Sequence, residues 1–309
     1  MIAEILLLVI SFLILLSLGV PVAWSIGISC LLTLAVSIDS LAAFTTMAQR
    51  MATGLDSFSL LAIPFFILAG QIMNQGGIAH RLINFAKALI GSMPGGLIYV
   101  NVIAAMLFGA ISGSAVAAAS AIGGILGPPM EKEKYSKEFG AAINVTASTT
   151  GLIIPPSNVL IVYSLASGGV SIASLFLAGY IPGILMGLAL MLVAAVWIKK
   201  KKYPPGEKTS AKKIATTFLD ALPSLLLLVV VIGGIVSGIF TATEASGIAV
   251  LYTLILAIIY REINLNKLHK IFLSSVVTTS IVLLLIATSM GMSWVMSFEN
   301  IPQTVSDAL

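Results

Sequence analysis

Residues 95–128 read GGLIYVNVIAAMLFGAISGSAVAAASAIGGILGP, and residues 139–164 read FGAAINVTASTTGLIIPPSNVLIVYS. No charged residue lies between Lys87 and Glu131, and none lies between Glu138 and Lys199. The first stretch is too long for one membrane span, which needs about 20 residues. Split at Ser112-Gly113-Ser114, it gives two arms of about 14 to 17 residues, each about 21 to 25 Å long as helix and short of a hydrocarbon core of about 30 Å. Two short apolar arms meeting at a polar glycine turn predict a re-entrant hairpin. Its charged flanks, Arg81 and Lys87 before and Lys132, Lys134 and Lys137 after, then lie on one side. A turn at that depth is tolerated only where protein buries it or where it lines a watery cavity.

The second stretch breaks differently. Pro155 offers no N–H to the carbonyl of Gly151, and Pro156 offers none to Leu152. Ile154 precedes proline and is pushed toward extended geometry. The chain is expected to leave the helix around Gly151 to Pro156 and re-enter near Ser157, a good N-cap. Carbonyls freed at such a break can bind a cation, and the positive end of the following half-helix can face an anion. Asn144, Thr146, Ser148, Thr149, Thr150 and Asn158 surround the break with short polar groups. Small residues at either break also suit close helix packing.

Outward from these stretches, the composition is 59% hydrophobic and 9% charged, with mean hydropathy +1.10. Those values describe a polytopic membrane protein rather than a soluble domain, and the helical spans read below make the expected fold all-α. The net charge of +4 sits in loops beside apolar spans and points to no nucleic-acid partner. Cys30 is the only cysteine, which excludes an intrachain disulfide and a cysteine metal cluster. His80 and His269 fall in interfacial segments with no intramembrane carboxylate near in sequence, so no catalytic constellation emerges and no enzyme is expected. Glu244 is the one acid inside the later spans, and the Lys199–Lys202 run reads as a topology anchor.

Spans are predicted at 2–19, 22–38, 58–75, 173–198, 221–240, 243–260 and 276–297, with the broken helix over 139–167. Interfacial helices are predicted at 41–53, 76–91 and 264–273. Basic segments at 80–87, 132–137, 199–213 and 261–270 all fall on one side if the hairpin is re-entrant. By the positive-inside rule that side is the cytoplasm, which puts the N-terminus in the periplasm. A shift of about 220 residues lays 227–257 on 6–36, with Gly247-Ile248 over Gly27-Ile28. The two copies then have inverted topology, a transporter arrangement. Four segments follow: scaffold helices and arm over 1–91, hairpin and broken helix over 92–170, a span and lysine-rich loop over 171–213, and second-copy scaffold over 214–309.

The stretches GAISGSAVAAASAIG at 109–123, NVTASTTGLIIPPSNVLIVYS at 144–164 and PFFILAGQIMNQGG at 64–77 resemble the large membrane (DctM-like) subunit of TRAP, or tripartite ATP-independent periplasmic, transporters. The resemblance runs through the whole chain. It implies a sodium-coupled, elevator-type importer of organic acids in the bacterial inner membrane, working with a small membrane subunit and a periplasmic substrate-binding protein. It also implies Na⁺ between hairpin tip and broken helix, at Ser112, Ser114, Gly151, Ile154 and Pro156, all hard oxygen donors. An organic anion such as a C4-dicarboxylate, a sialic acid or another sugar or keto acid is then expected at Gly113, Asn144, Thr150, Ser157 and Asn158, against the helix N-terminus that begins at Ser114. The second copy of the repeat stops at Leu309, before its own hairpin, so the chain reads as lacking about 110 residues of the family pattern. Two other readings stand beside this one: a stand-alone dicarboxylate or citrate-type sodium symporter, and a non-transporting scaffold or channel subunit.

Overall fold

The computed structural model describes residues 2–201, 203, 205–206 and 208–308. Every extended element among them is a helix. In chain order these are α1 (Ile2–Ser17), α2 (Val22–Ser37), α3 (Ser40–Leu55), α4 (Ala62–Gln75), α5 (Ile78–Ile90), α6 (Gly96–Ser112) and α7 (Ala115–Lys132). There follow α8 (Lys137–Ser148), α9 (Asn158–Ala166), α10 (Ile172–Lys201), α11 (Ala211–Val236), α12 (Ala242–Ile259), α13 (Leu265–Phe298) and α14 (Ile301–Ala308). Five helical stretches are long and apolar enough to cross a membrane: Phe58–Gln75, α10, α11, α12 and α13. The protein is therefore a multi-pass membrane protein. Lys202, the last of the lysine run, lies outside the described residues.

The helices form two compact units. One unit comprises residues up to 58 and from 277 onward. Its core gathers Leu8, Ile26, Cys30, Leu34, Ala43, Met47, Val295 and Ile301. Gly19, with φ 81°, ends α1 and lets Val20 N–H donate to the Leu15 carbonyl at 3.0 Å. Asp39 caps α3 by accepting from Leu41 N–H at 3.0 Å. Arg50 lies 4.9 Å from the Trp294 ring centroid.

The other unit spans residues 59–276 and holds both interrupted stretches. In α5 the apolar positions Ile78, Ala79, Leu82, Ile83 and Ala86 are buried, while Asn84 and Lys87 face outward. That is the amphipathic helix expected from the i, i+4 spacing. In α6, Leu97, Ile98, Val100, Asn101, Val102, Ala104, Ala105 and Phe108 are all buried, so this arm is covered on nearly every face. Gly238 ends α11 as Gly19 ends α1. It has φ 75°, and Ile239 N–H reaches back to the Gly234 carbonyl at 2.9 Å. The two turns are 219 residues apart (238 − 19), so the same C-terminal cap recurs at the repeat shift.

Two element boundaries differ from the sequence expectation. Residues 264–273 and 276–297 form one helix, α13, because no proline and no glycine interrupts 265–290. The Ser275 hydroxyl bonds back to Ile271 O at 2.8 Å instead of ending the helix. α11 begins ten residues earlier than the predicted 221, capped by Ser210, whose hydroxyl accepts from Lys213 N–H at 3.3 Å. Pro223 inside it offers no N–H to the Leu219 carbonyl, and its own carbonyl accepts from Tyr252 O–H at 2.8 Å.

Candidate functional site

The site is built where two breaks in the chain meet. α6 ends at Ser112, and Gly113 follows with φ 60°, a left-handed conformation that costs glycine nothing. Ser114 is extended and caps α7, its hydroxyl accepting from Ala117 N–H at 3.3 Å. In the second stretch α8 gives way to a single 3₁₀ turn, Thr149–Leu152, and regular helix resumes at Asn158. Ser157 caps α9 by accepting from Leu160 N–H at 3.3 Å. The Ser157 hydroxyl also donates to the Leu152 carbonyl, which Pro156 had left without a partner. One of the two carbonyls freed by the proline pair is thus satisfied internally, and Gly151 keeps the one that Pro155 cannot serve.

Glycines let the two breaks touch backbone to backbone. A methyl group on Gly109 would lie 2.3 Å from the Cα of Gly151, and one on Gly151 would lie 2.7 Å from the Cα of Gly109. One on Gly113 would lie 2.6 Å from the Pro156 carbonyl oxygen and 3.4 Å from the Asn158 nitrogen. Ser112, fully buried, packs behind the tip against Gly70 of α4, where an added methyl would come within 3.1 Å of its Cβ. Thr150 is buried beside the break, its hydroxyl donating to Ala147 O at 2.6 Å. Ile154 turns its side chain to α10: a methyl on Gly183 would lie 2.4 Å from its Cγ1, and one on Gly179 would lie 2.4 Å from the Ile153 carbonyl oxygen.

The electrostatics follow from this crossing. The N-termini of α7 and α9 both begin at the tip, each worth about half a positive charge. The carbonyl ends of α6 and of the 149–152 turn arrive at the same place and carry the opposite sign. Asn158 Oδ1 is buried there with no hydrogen-bond partner. Among the described residues no three His, Cys, Asp or Glu side chains gather as a metal cluster, so the oxygens on offer are carbonyl, hydroxyl and amide.

Of the ten residues singled out from the sequence, the structure brings Ser112, Gly113, Ser114, Gly151, Pro156, Ser157 and Asn158 to one crossing. Thr150 and Ile154 support it from behind. Asn144 stands about 9 Å further along α8, six residues before Thr150. It serves as a strut: its Nδ2 donates to Ala119 O at 2.9 Å, and its Oδ1 accepts from Asn101 Nδ2 at 3.3 Å. Asn101, Gly109 and Gly70 were not singled out. Gly109 was legible in principle as the residue four before Gly113 on the same helical face. Replacing Asn144 with leucine strands the buried Asn101 amide and is expected to cost about 1–3 kcal/mol. Asn101→Leu together with Asn144→Leu should recover part of that loss, read by thermal unfolding in detergent.

Beyond the strut a cavity of about 320 Å³ opens among α6, α7 and α8, with Asn101, Gly123, Met130, Tyr135 and Asn144 in its wall. At its mouth Lys137 Nζ lies 2.5 Å from Glu131 Oε1, an exposed pair that holds the lysine pKa above its usual value. Burial pushes the Tyr135 hydroxyl up to about 12. The ring of Tyr135 stacks on Tyr203 with centroids 4.5 Å apart.

Fold and site together define a helical, multi-pass membrane protein whose two interrupted helices cross at buried glycines. Residues 9–309 match the family described as tripartite ATP-independent periplasmic transporter, DctM component, and the chain belongs to that family. It is 56% identical over 299 residues to YgiK of Salmonella typhimurium, covering 97% of this chain and 69% of that protein. It is 39% identical over 294 residues to the 2,3-diketo-L-gulonate TRAP transporter large permease protein YiaN of Escherichia coli, covering 95% and 68%. It is 37% identical over 309 residues to the C4-dicarboxylate TRAP transporter large permease protein DctM of Rhodobacter capsulatus, covering 94% and 68%. The chain thus spans about two thirds of the length of these relatives.

Proposed function

We propose that this large permease subunit imports an organic carboxylate across the bacterial inner membrane, driven by Na⁺, together with a small membrane subunit and a periplasmic binding protein. The observation that carries the proposal is the meeting of Gly113 with Pro156 and Asn158, where two helix N-termini and a buried, unpartnered amide oxygen converge. In this reading Na⁺ takes the oxygens of Ser112, Ser114, Gly151, Ile154 and Pro156, joined by Asn158 Oδ1, which is buried without a partner. The carboxylate sits against the first turns of α7 and α9, at Gly113, Thr150, Ser157 and Asn158. Bound Na⁺ fixes the tip and so prepares the anion site, which makes each ligand raise the affinity for the other.

The hairpin is re-entrant in this reading, supported by the burial of α6 on nearly all sides and by its 17-residue length. Residues 92–170 move as the transport block against scaffold helices in 1–91 and 214–309, with 171–213 joining them, an elevator in which the site is carried across. The N-terminus is periplasmic. The substrate class follows from the site and from the names of two relatives, one a diketogulonate carrier and one a C4-dicarboxylate carrier.

Uptake of labelled organic acids into proteoliposomes tests this. The protein is reconstituted with its small subunit, with and without an inward Na⁺ gradient and with and without the binding protein. Uptake requiring both is the expected result. Uptake that ignores the gradient removes the sodium site, and uptake that needs Na⁺ but no binding protein favours a stand-alone symporter.

A further inference from the structure

A second charged groove lies well apart from the glycine crossing, where α5 ends and α11 begins. It encloses about 410 Å³ and is walled by Lys87, Lys208 and Lys213, by Thr209 and Thr217, and by Glu133. The three lysines form no ion pair among the described residues, and among the described lining residues they face one acid, Glu133. The groove is held open by fixed backbone. Gly206 packs so closely on the turn after α5 that a methyl group there would lie 2.1 Å from the Gly91 carbonyl oxygen. Pro94 and Pro205 pair across an isolated bridge, and Tyr203 stacks on Tyr135. Tyr203, Pro205 and Gly206 of the lysine-rich loop are thereby held against the helix ends, and Lys208 lines the cavity.

The volume equals roughly a dozen water molecules at about 30 Å³ each, room for a whole headgroup rather than a bare ion. Its lining combines point charges with two hydroxyls, the donors that a phosphate group accepts from. Beside it the surface turns apolar: Leu89, next to Ala88 of the wall, and Phe218 and Leu219, next to Thr217, are exposed. Phe85 and Phe218, with ring centroids 5.4 Å apart, tie α5 to α11 at that strip. A charged groove running into exposed apolar helix surface fits a molecule with an anionic head and acyl chains.

We propose that this groove binds the phosphate group of an anionic glycerophospholipid, held by Lys87, Lys208 and Lys213, with its chains along the exposed side of α5 and α11. The loop that sets topology therefore also holds a lipid, and Glu133 limits its affinity.

The probe is phosphatidylglycerol titrated onto the purified full chain in mild detergent, with retained lipid read by native mass spectrometry. K87Q/K208Q/K213Q is expected to weaken retention by about fivefold per lysine, about a hundredfold in all. K199Q/K200Q/K201Q removes as much charge from the end of α10 and should leave retention within about twofold of the wild type. Glu133→Gln should strengthen it. Phosphatidylcholine, with no net charge, should not be retained. Displacement of the lipid by millimolar inorganic phosphate assigns the site to the phosphate group alone. Retention in its presence assigns it to headgroup and chains together. Equal retention by the wild type and the groove variant overturns the proposal, as does an equal loss in the α10 variant. Should the groove variant fail to fold, Glu133→Gln decides, and unchanged retention in it overturns the proposal as well.

Discussion

Gly109→Ala is expected to lower the unfolding free energy by about 3 kcal/mol, the upper end of the usual range for overpacking, and to reduce uptake below a tenth of the wild type. The added methyl would lie 2.3 Å from the Cα of Gly151, a backbone atom that no rotamer change can move. Either α6 shifts off the break or the 149–152 turn does, and both movements pull the hairpin tip away from Pro156. Gly124→Ala is the paired control. It sits inside α7 with nothing within 4 Å of the added carbon, so alanine there should be neutral or stabilise by up to about 1 kcal/mol. Thermal unfolding in detergent reads both, and similar melting of the two variants would show that the crossing does not depend on close backbone approach.

The second large effect concerns ion dependence. Asn158→Leu should raise the Na⁺ concentration giving half-maximal uptake by about ten- to a hundredfold, the equivalent of losing a hydrogen-bond-strength contact to a charged group. Stability should stay level or rise slightly, because the wild-type amide oxygen is buried without a partner. Asn144→Leu should do the opposite, losing stability with an unchanged Na⁺ response, because both ends of its amide are engaged in bonds between helices. The two asparagines look alike in sequence, fourteen residues apart on either side of the same break, and this pair of measurements separates ligand from strut. A sodium response unchanged by Asn158→Leu would move the cation away from the tip.

The asymmetry between those asparagines marks the limit of what the sequence reveals. The breaks themselves are legible because they follow from local chemistry. Gly113 is the residue that tolerates a left-handed turn, and two prolines remove two N–H groups wherever they stand. The amphipathic α5 and the recurrence of the Gly19 turn at Gly238 are legible for the same reason. What Asn144 does depends on α6 and α7 passing beside it, and periodicity carries no record of which helices are neighbours. The same holds for the Leu152 carbonyl, whose release follows from Pro156 but whose capture by Ser157 depends on how sharply the chain bends. Between 264–273 and 276–297 the helix runs on without a break, and there Ser275 bonds its hydroxyl to the Ile271 carbonyl.

The hairpin tip has one more consequence, for the order in which the protein is made. Gly113 is covered by Pro156 and Asn158, which leave the ribosome more than forty residues later. Until then Ser112 has Gly70 of α4 to pack against, but Gly113 lacks the backbone that covers it. The crossing at Gly113 therefore closes only once α8 and α9 have been made, with about half of the 309 residues synthesised.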